Sequence, residues 1–130
     1  MNLALVSKPY TEIRLNLGCG NDFRRGYVNV DVYGNPDVKF DLNDKNWPWE
    51  NDSVSGIELR HVLEHLPDTV NVMKELYRIC RDGATVHIVV PHPRHDDFLS
   101  DPTHVRPITI KLLWLFSKRQ CAIWKASKSA

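Results

Sequence analysis

The stretch from Ile13 to Asp31 constrains the fold of this chain more than any other. Ile13, Leu15 and Leu17 alternate with Arg14 and Asn16, the two-residue period of a strand, and Gly18-Cys19-Gly20 stops it. Glycines at the C-terminal end of a strand let a ligand approach the backbone, because no Cβ intervenes. Tyr27 to Val32 reads as a second strand, and Asp31 stands where a carboxylate can accept both hydroxyls of a ribose. A tight turn followed by an unrelated surface acid is the plainer reading of the same residues. A dinucleotide fingerprint is disfavoured: its third glycine does not fall in place, and Gly18 to Asp31 is shorter than the usual spacing of about 20 residues.

Further strands are expected at Val38-Lys39-Phe40, ending on Asp41, at Val54 to Leu59, and at Thr85 to Val90, closed by Pro91. The clearest helix runs from about Pro67 to Cys80. Asp68 suits its positive end, and Arg78 and Arg81 its negative end, with Gly83 as the stop. Val70, Met73, Leu76, Tyr77 and Cys80 form its expected buried stripe. A second helix is expected from Thr109, with Ile110 and Leu112 to Phe116 apolar nearly all round and needing cover. Only Asn21 to Gly26 separate the glycine turn from the second strand, whereas a parallel crossover usually takes a dozen residues or more. Either a first helix shrinks to about one turn, or the second strand starts later than Tyr27. Strands followed by at least one strong helix and another strand argue for an α/β fold with a largely parallel sheet.

The chain has 130 residues and a mass of 15.0 kDa, which makes it one domain. A hydrophobic share of 42% and a charged share of 25% exclude disorder and a disulfide scaffold. The net charge of +1 gives no global attraction for nucleic acid or anionic membrane. Lys118, Arg119, Lys125 and Lys128 make residues 118–130 a basic tail, which reads as a solvated end. Cys19, Cys80 and Cys121 form no CxxC pair and suit free thiols in a reducing compartment. The N-terminus lacks a signal-peptide pattern, and no stretch is apolar enough to span a membrane. The expected location is cytoplasmic.

LNLGCG at 15–20, VNVD at 28–31, FDLN at 40–43, ELRHVLEHLPD at 58–68 and RDGATVHIVVPH at 81–92 occur in that order. Together they resemble the class I S-adenosylmethionine-dependent methyltransferases, over residues 13–107. The resemblance implies a Rossmann-like, mostly parallel sheet with flanking helices. Too little chain follows Thr109 for a helix and two more strands, so the family's C-terminal strands are expected to be shortened or absent. S-adenosylmethionine is the implied cofactor. Gly18, Cys19 and Gly20 would border its methionine and ribose, and Asn16 occupies a position where the family usually has an acid. Asp31 and Val32 would hold the ribose, Asp41 and Leu42 the adenine, and Arg60 and His61 would face the methionine end and the substrate.

The histidines admit rival readings. His61 and His65 could share a helical face as a metal pair, but Glu64 is not placed as in HExxH, and the spacing favours a non-metal role. They are the candidate proton acceptors, since imidazole titrates near neutral pH. His92, His95, Asp96, Asp97, Asp101 and His104 cluster after the fifth strand. This cluster reads first as an acceptor-shaping loop, second as a plain polar loop broken by prolines, and third as a metal site. No metal is therefore expected. Trp47, Trp49 and Trp114 read as core or interface before ligand stacking, and Trp124 falls in the tail.

The expected activity is methyl transfer from S-adenosylmethionine to a small-molecule acceptor, with a sugar or lipid-linked compound suggested by family analogy alone. DNA is not expected, because the chain lacks an Asn/Asp-Pro-Pro-aromatic tetrapeptide. Two rivals are a non-catalytic cofactor-binding or partner subunit of a methyltransferase, and a metal-dependent hydrolase built on His92 to His104. Self-association through the apolar segment 110–116 is expected.

Overall fold

The computed structural model describes residues 12–92 and 94–116. Cys121, Trp124 and the basic tail lie outside the described residues. Five strands form one sheet in the order β3-β2-β1-β4-β5, and every neighbouring pair is parallel. The strands are β1 (Arg14–Leu17), β2 (Val28–Asp31), β3 (Val38–Lys39), β4 (Val54–Arg60) and β5 (Cys80–Val89). The sheet grows in one direction from β1 to β3 and in the other from β4 to β5. The crevice beyond the C-terminal ends of β1 and β4 is therefore a topological switch point, where such sheets bind ligands. Among the described residues no strand follows β5.

β1 is the central strand. Leu15 and Leu17 are buried on one face, with Ile57 and Leu59 of β4 beside them in register. Helix α1 (Thr69–Ile79) covers this face with Val72, Leu76 and Ile79. Asp68 caps the helix by accepting from the Asn71 N–H at 3.0 Å. The buried stripe is rotated from the expected one: Val70 and Tyr77 are exposed, while Val72 and Ile79 are buried. Thr69 and Glu75 border that stripe, and their polarity masks its position in the sequence. Met73 and Cys80 do pack against the core.

The helix ends without a glycine. Its last carbonyls, Arg78 and Ile79, accept from the N–H groups of Asp52 and Ser53 at 3.0 and 2.8 Å. Cys80 then passes straight into β5, which starts earlier than Thr85. Val54 pairs with Cys80 but Gly56 with Thr85, so Arg81 to Ala84 bulge out of the ladder. Gly83 serves that bulge at φ +82° and is not the helix stop.

The link from β1 to β2 contains no helix, and β2 starts at Val28. A side-chain network replaces the missing helix. Asn16 donates to the Asp22 carbonyl at 2.7 Å and to Asn29 Oδ1 at 3.0 Å. Asn29 Oδ1 also accepts from the Arg24 N–H at 2.9 Å. The Asn29 side chain and backbone N–H both donate to Asp37, at 3.0 and 2.8 Å. Asn16 and Asn29 are buried, so these bonds satisfy groups that water cannot reach.

Two short helices, α2 (Asp96–Ser100) and α3 (Ile110–Trp114), follow β5. Thr109 caps α3 by accepting from the Leu112 N–H at 3.1 Å. Leu112 and Leu113 pack on the core, while Ile110, Trp114 and Leu115 are exposed. Trp47 is buried and meets Trp49 edge-on at 6.2 Å between centroids, so this pair belongs to the core. Cys19 and Cys80 are free thiols.

Candidate functional site

Two groups of residues meet at the switch point. The first lies along the ends of β1, β2 and β3. After Leu17 the chain turns through Gly18 at φ +67° and Gly20 at φ +53°. A Cβ on Gly18 would lie 2.4 Å from Val62 Cγ2, so only glycine lets the segment after β4 pack on this turn. A Cβ on Gly20 would meet nothing within 4 Å, so that side of the turn is open.

Asp31 faces this opening. Its Oδ2 accepts from the Gly20 N–H at 2.8 Å and its Oδ1 from the Tyr33 N–H at 3.1 Å. Each oxygen keeps a further lone pair, which leaves the carboxylate able to accept two hydroxyls. Val32 is exposed beside it. The Phe40 N–H donates to the Asp31 carbonyl at 3.1 Å and brings the end of β3 alongside. Asp41 there accepts from the Asn43 N–H at 2.9 Å.

Other predicted members of this group take different parts. Both amide hydrogens of Asn16 are committed within the β1–β2 link, so it supports the site from behind. The side chains of Cys19 and Leu42 are buried, which leaves only their backbone to face a ligand. Burial, with Asp31 nearby, pushes the Cys19 thiol pKa up. The open glycine turn and the half-satisfied Asp31 fit the ribose of a nucleoside cofactor.

The second group lies beyond β4 and β5. Arg60 is the exposed last residue of β4, and His61 follows it at φ +55°, its N–H donating to the Val89 carbonyl at 2.7 Å. A 3-10 turn over Leu63–His65 then carries Glu64 inward. His61, Glu64 and His65 share a cavity of about 480 Å³ with Pro91, His92, His95, Asp97, Asp101 and His104. The sequence separates these residues widely, and the fold assembles them. A second cavity, of about 490 Å³, shares Pro91 and His92 and is lined also by Val90, Ile108 and Ile110.

The segment after α2 folds back onto the 3-10 turn. The Val105 N–H donates to the Glu64 carbonyl at 2.8 Å, and Arg106 to the Pro67 carbonyl at 3.2 Å. The rings of His65 and His104 meet edge-on at 4.7 Å, and Phe98 stacks on His104. Thr103 gives Asp101 two hydrogen bonds, from its hydroxyl and its N–H, which hold that carboxyl below the usual range, with His104 and His65 adding to the effect.

The resemblance gives Glu64 structural or substrate-side contacts, and the sequence gives Thr103 no role. Glu64 is 1% exposed, yet among the described residues neither carboxylate oxygen has a hydrogen-bond partner. No sequence signal marks Thr103, which lies far from His65 in the chain. His95 caps α2 by accepting from the Asp97 N–H at 3.1 Å, and His92 accepts from the Arg94 N–H at 3.2 Å.

This architecture is found in solved structures. The chain superimposes on a SAM-dependent methyltransferase from Archaeoglobus fulgidus with a TM-score of 0.68 and 20% identity, covering 91% of this chain and 64% of that one. It also superimposes on the YcgJ protein from Bacillus subtilis, with a TM-score of 0.63, 19% identity, and coverage of 91% and 66%. The fold is that of the class I S-adenosylmethionine-dependent methyltransferases. The chain thus spans a little under two thirds of either structure's length. No protein-family model matches it, and no curated protein matches it significantly. Among the described residues no helix is long and apolar enough to cross a membrane.

Proposed function

We propose that the chain binds S-adenosylmethionine at the switch point and transfers its methyl group to a small-molecule acceptor in the histidine-lined cavity. The observation that carries this reading is Asp31, held open-handed by the Gly20 and Tyr33 N–H groups beside an empty turn. The fold supports it. When bound, the cofactor supplies an electrophilic methyl on a sulfonium, so alignment does most of the work.

In this reading Asp31 accepts the ribose hydroxyls, with Val32 at its side. The backbone of Gly18, Cys19 and Gly20 lets the methionine and ribose approach closely. Asp41 and the Leu42 backbone meet the adenine. Arg60 and His61 face the methionine end, and Asn16 holds the turn in place through its buried bonds. His92, His95, Asp101 and His104 shape the acceptor pocket, while His61 and His65 stand ready to take a proton if the acceptor must lose one. A reducing, cytoplasmic setting rests on the free thiols of Cys19 and Cys80.

Calorimetric titration with S-adenosylhomocysteine, the demethylated product, tests the reading. Wild-type protein is expected to bind in the micromolar range, and Asp31→Ala to bind at least about tenfold more weakly while keeping its circular dichroism. A folded wild type that does not bind overturns it.

A second reading, a partner subunit without catalysis, draws on the exposed Ile110, Trp114 and Leu115 of the α3 region. Sedimentation velocity separates the two. A monomer that binds the product tightly excludes the partner role.

A further inference from the structure

We propose that Glu64, His65 and His104 form a binding site for one divalent transition cation of the zinc type. One ligand atom from each lies within 4.8 Å of the other two. This revises the order in which the sequence ranks the histidine readings.

The hydrogen bonds fix which nitrogen of each ring is free. The Thr103 hydroxyl donates its single proton to Asp101 Oδ1 at 2.6 Å. It must therefore accept from His65 Nδ1, 2.9 Å away, which leaves His65 Nε2 with a lone pair in the neutral ring. His104 Nδ1 lies 2.8 Å from the Phe98 carbonyl, which can only accept, so in the neutral ring His104 Nε2 carries the lone pair, with Asp101 Oδ2 3.4 Å from it. Outer partners that orient the coordinating nitrogen in this way are the usual support of metal-ligating histidines.

Glu64 supplies the anion. Its carboxylate is buried, and no N–H or O–H of the described residues reaches either oxygen. Burying a charge without a partner is strongly unfavourable, so a carboxylate so placed calls for a cation. Imidazolium does not answer that call. His65 Nε2 is 3.7 Å and His61 Nδ1 3.9 Å from Glu64 Oε1, well beyond the ~2.7–2.9 Å of a charge-assisted hydrogen bond. The 3.7 Å between His65 Nε2 and Glu64 Oε1 is near what an ion between them needs, since tetrahedral ligands at ~2.1 Å from a shared ion lie about 3.4 Å apart, and the His104 ligand atom lies within 4.8 Å of both.

The donor set selects the ion. Two imidazoles and a carboxylate suit Zn²⁺ and its first-row neighbours, whereas Mg²⁺ and Ca²⁺ prefer oxygen alone. A three-ligand set leaves a position open towards the cavity. There the ion would take an oxygen of the methyl acceptor and lower its pKa, which makes a hydroxyl compound the acceptor class. That last step rests on the methyl-transfer reading. In it the hydroxyl proton is lost to water, the oxygen–carbon bond forms, and the carbon–sulfur bond breaks with its electron pair going to sulfur.

The test uses the full chain stripped with a chelator. Zn²⁺ is titrated by calorimetry, and Co²⁺ by the visible d–d absorption of a nitrogen–oxygen site. One ion per chain is expected. Glu64→Gln and His104→Ala should each weaken binding by roughly 10–100-fold or more, and His87→Ala, which removes a histidine outside the cavity, should leave it unchanged. Glu64→Gln preserves side-chain shape, so it decides the matter if His104→Ala fails to fold. Absence of stoichiometric Zn²⁺ and Co²⁺ binding by folded wild type, or binding undiminished by Glu64→Gln, overturns the site. S-adenosylhomocysteine binding measured on the same preparations keeps the two readings apart. Its loss with ion binding intact removes the acceptor step and leaves the site standing.

Discussion

Gly18 and Gly83 both hold a positive φ, but their surroundings differ. A Cβ at Gly18 would strike Val62, while one at Gly83 would meet nothing within 4 Å. Gly18→Ala should therefore lose roughly 2–4 kcal/mol, strain plus overpacking, and Gly83→Ala only about 1–2 kcal/mol from strain. Urea denaturation of the two variants checks the contrast. Asp37 gives a pH-dependent counterpart. The Asn29 backbone N–H, and then its side chain, hold the Asp37 carboxyl below the usual range. A depressed folded value means that the contribution is complete above the unfolded value of about 3.9 and is lost as pH falls through the folded one. The Tm gap between wild type and Asp37→Ala should thus hold steady from neutral pH to about 4 and narrow below it. Gly18 and Asp31 stand out in the sequence because backbone geometry leaves few substitutes. Asn16 does not: an amide on a strand looks the same whether it faces a ligand or braces a loop.

Helix α1 shows how far an element can be read from its own residues. Its existence follows from Asp68 at its positive end and the apolar spacing, but the cap at Asp68 lies one residue past the expected start at Pro67, and the buried face does not follow, because Thr69 and Glu75 sit at its border. Its C-terminus is set from outside, by Asp52 and Ser53. Arg78 secures the same corner. It pairs with Glu75 and donates to the Trp49 and Trp47 carbonyls at 2.8 and 3.0 Å and to Asn51 at 2.8 Å. Lysine cannot reproduce that fork. Arg78→Lys should lose about 1.5–3 kcal/mol, visible as a lower urea midpoint with an unchanged slope.

For the whole molecule, the α/β class and its parallel sheet were legible because strands broken by turns lead into one strong helix and a further strand. The histidine cavity was legible only in part. His61 and His65 share a motif, and His92 to His104 share a loop, but nothing local says that the two stretches meet or that Glu64 turns inward between them. That meeting depends on bonds such as Val105 to Glu64, made across a long separation. The helix-free link between β1 and β2 has an opposite consequence, for the order of folding. Leu15 finds Val28 over a short span of chain, whereas it finds Ile57 over about three times that span, which adds about 1 kcal/mol of loop entropy. Parallel strands are ordinarily slow to find one another because their crossovers are long. Here the pair that carries Gly20 and Asp31 should close first. In pulsed hydrogen exchange during refolding, the amides of Val28 to Val30 should gain protection before those of Val86 to Val89. The half that carries Asp31 would then exist as a scaffold on which the histidine half is assembled.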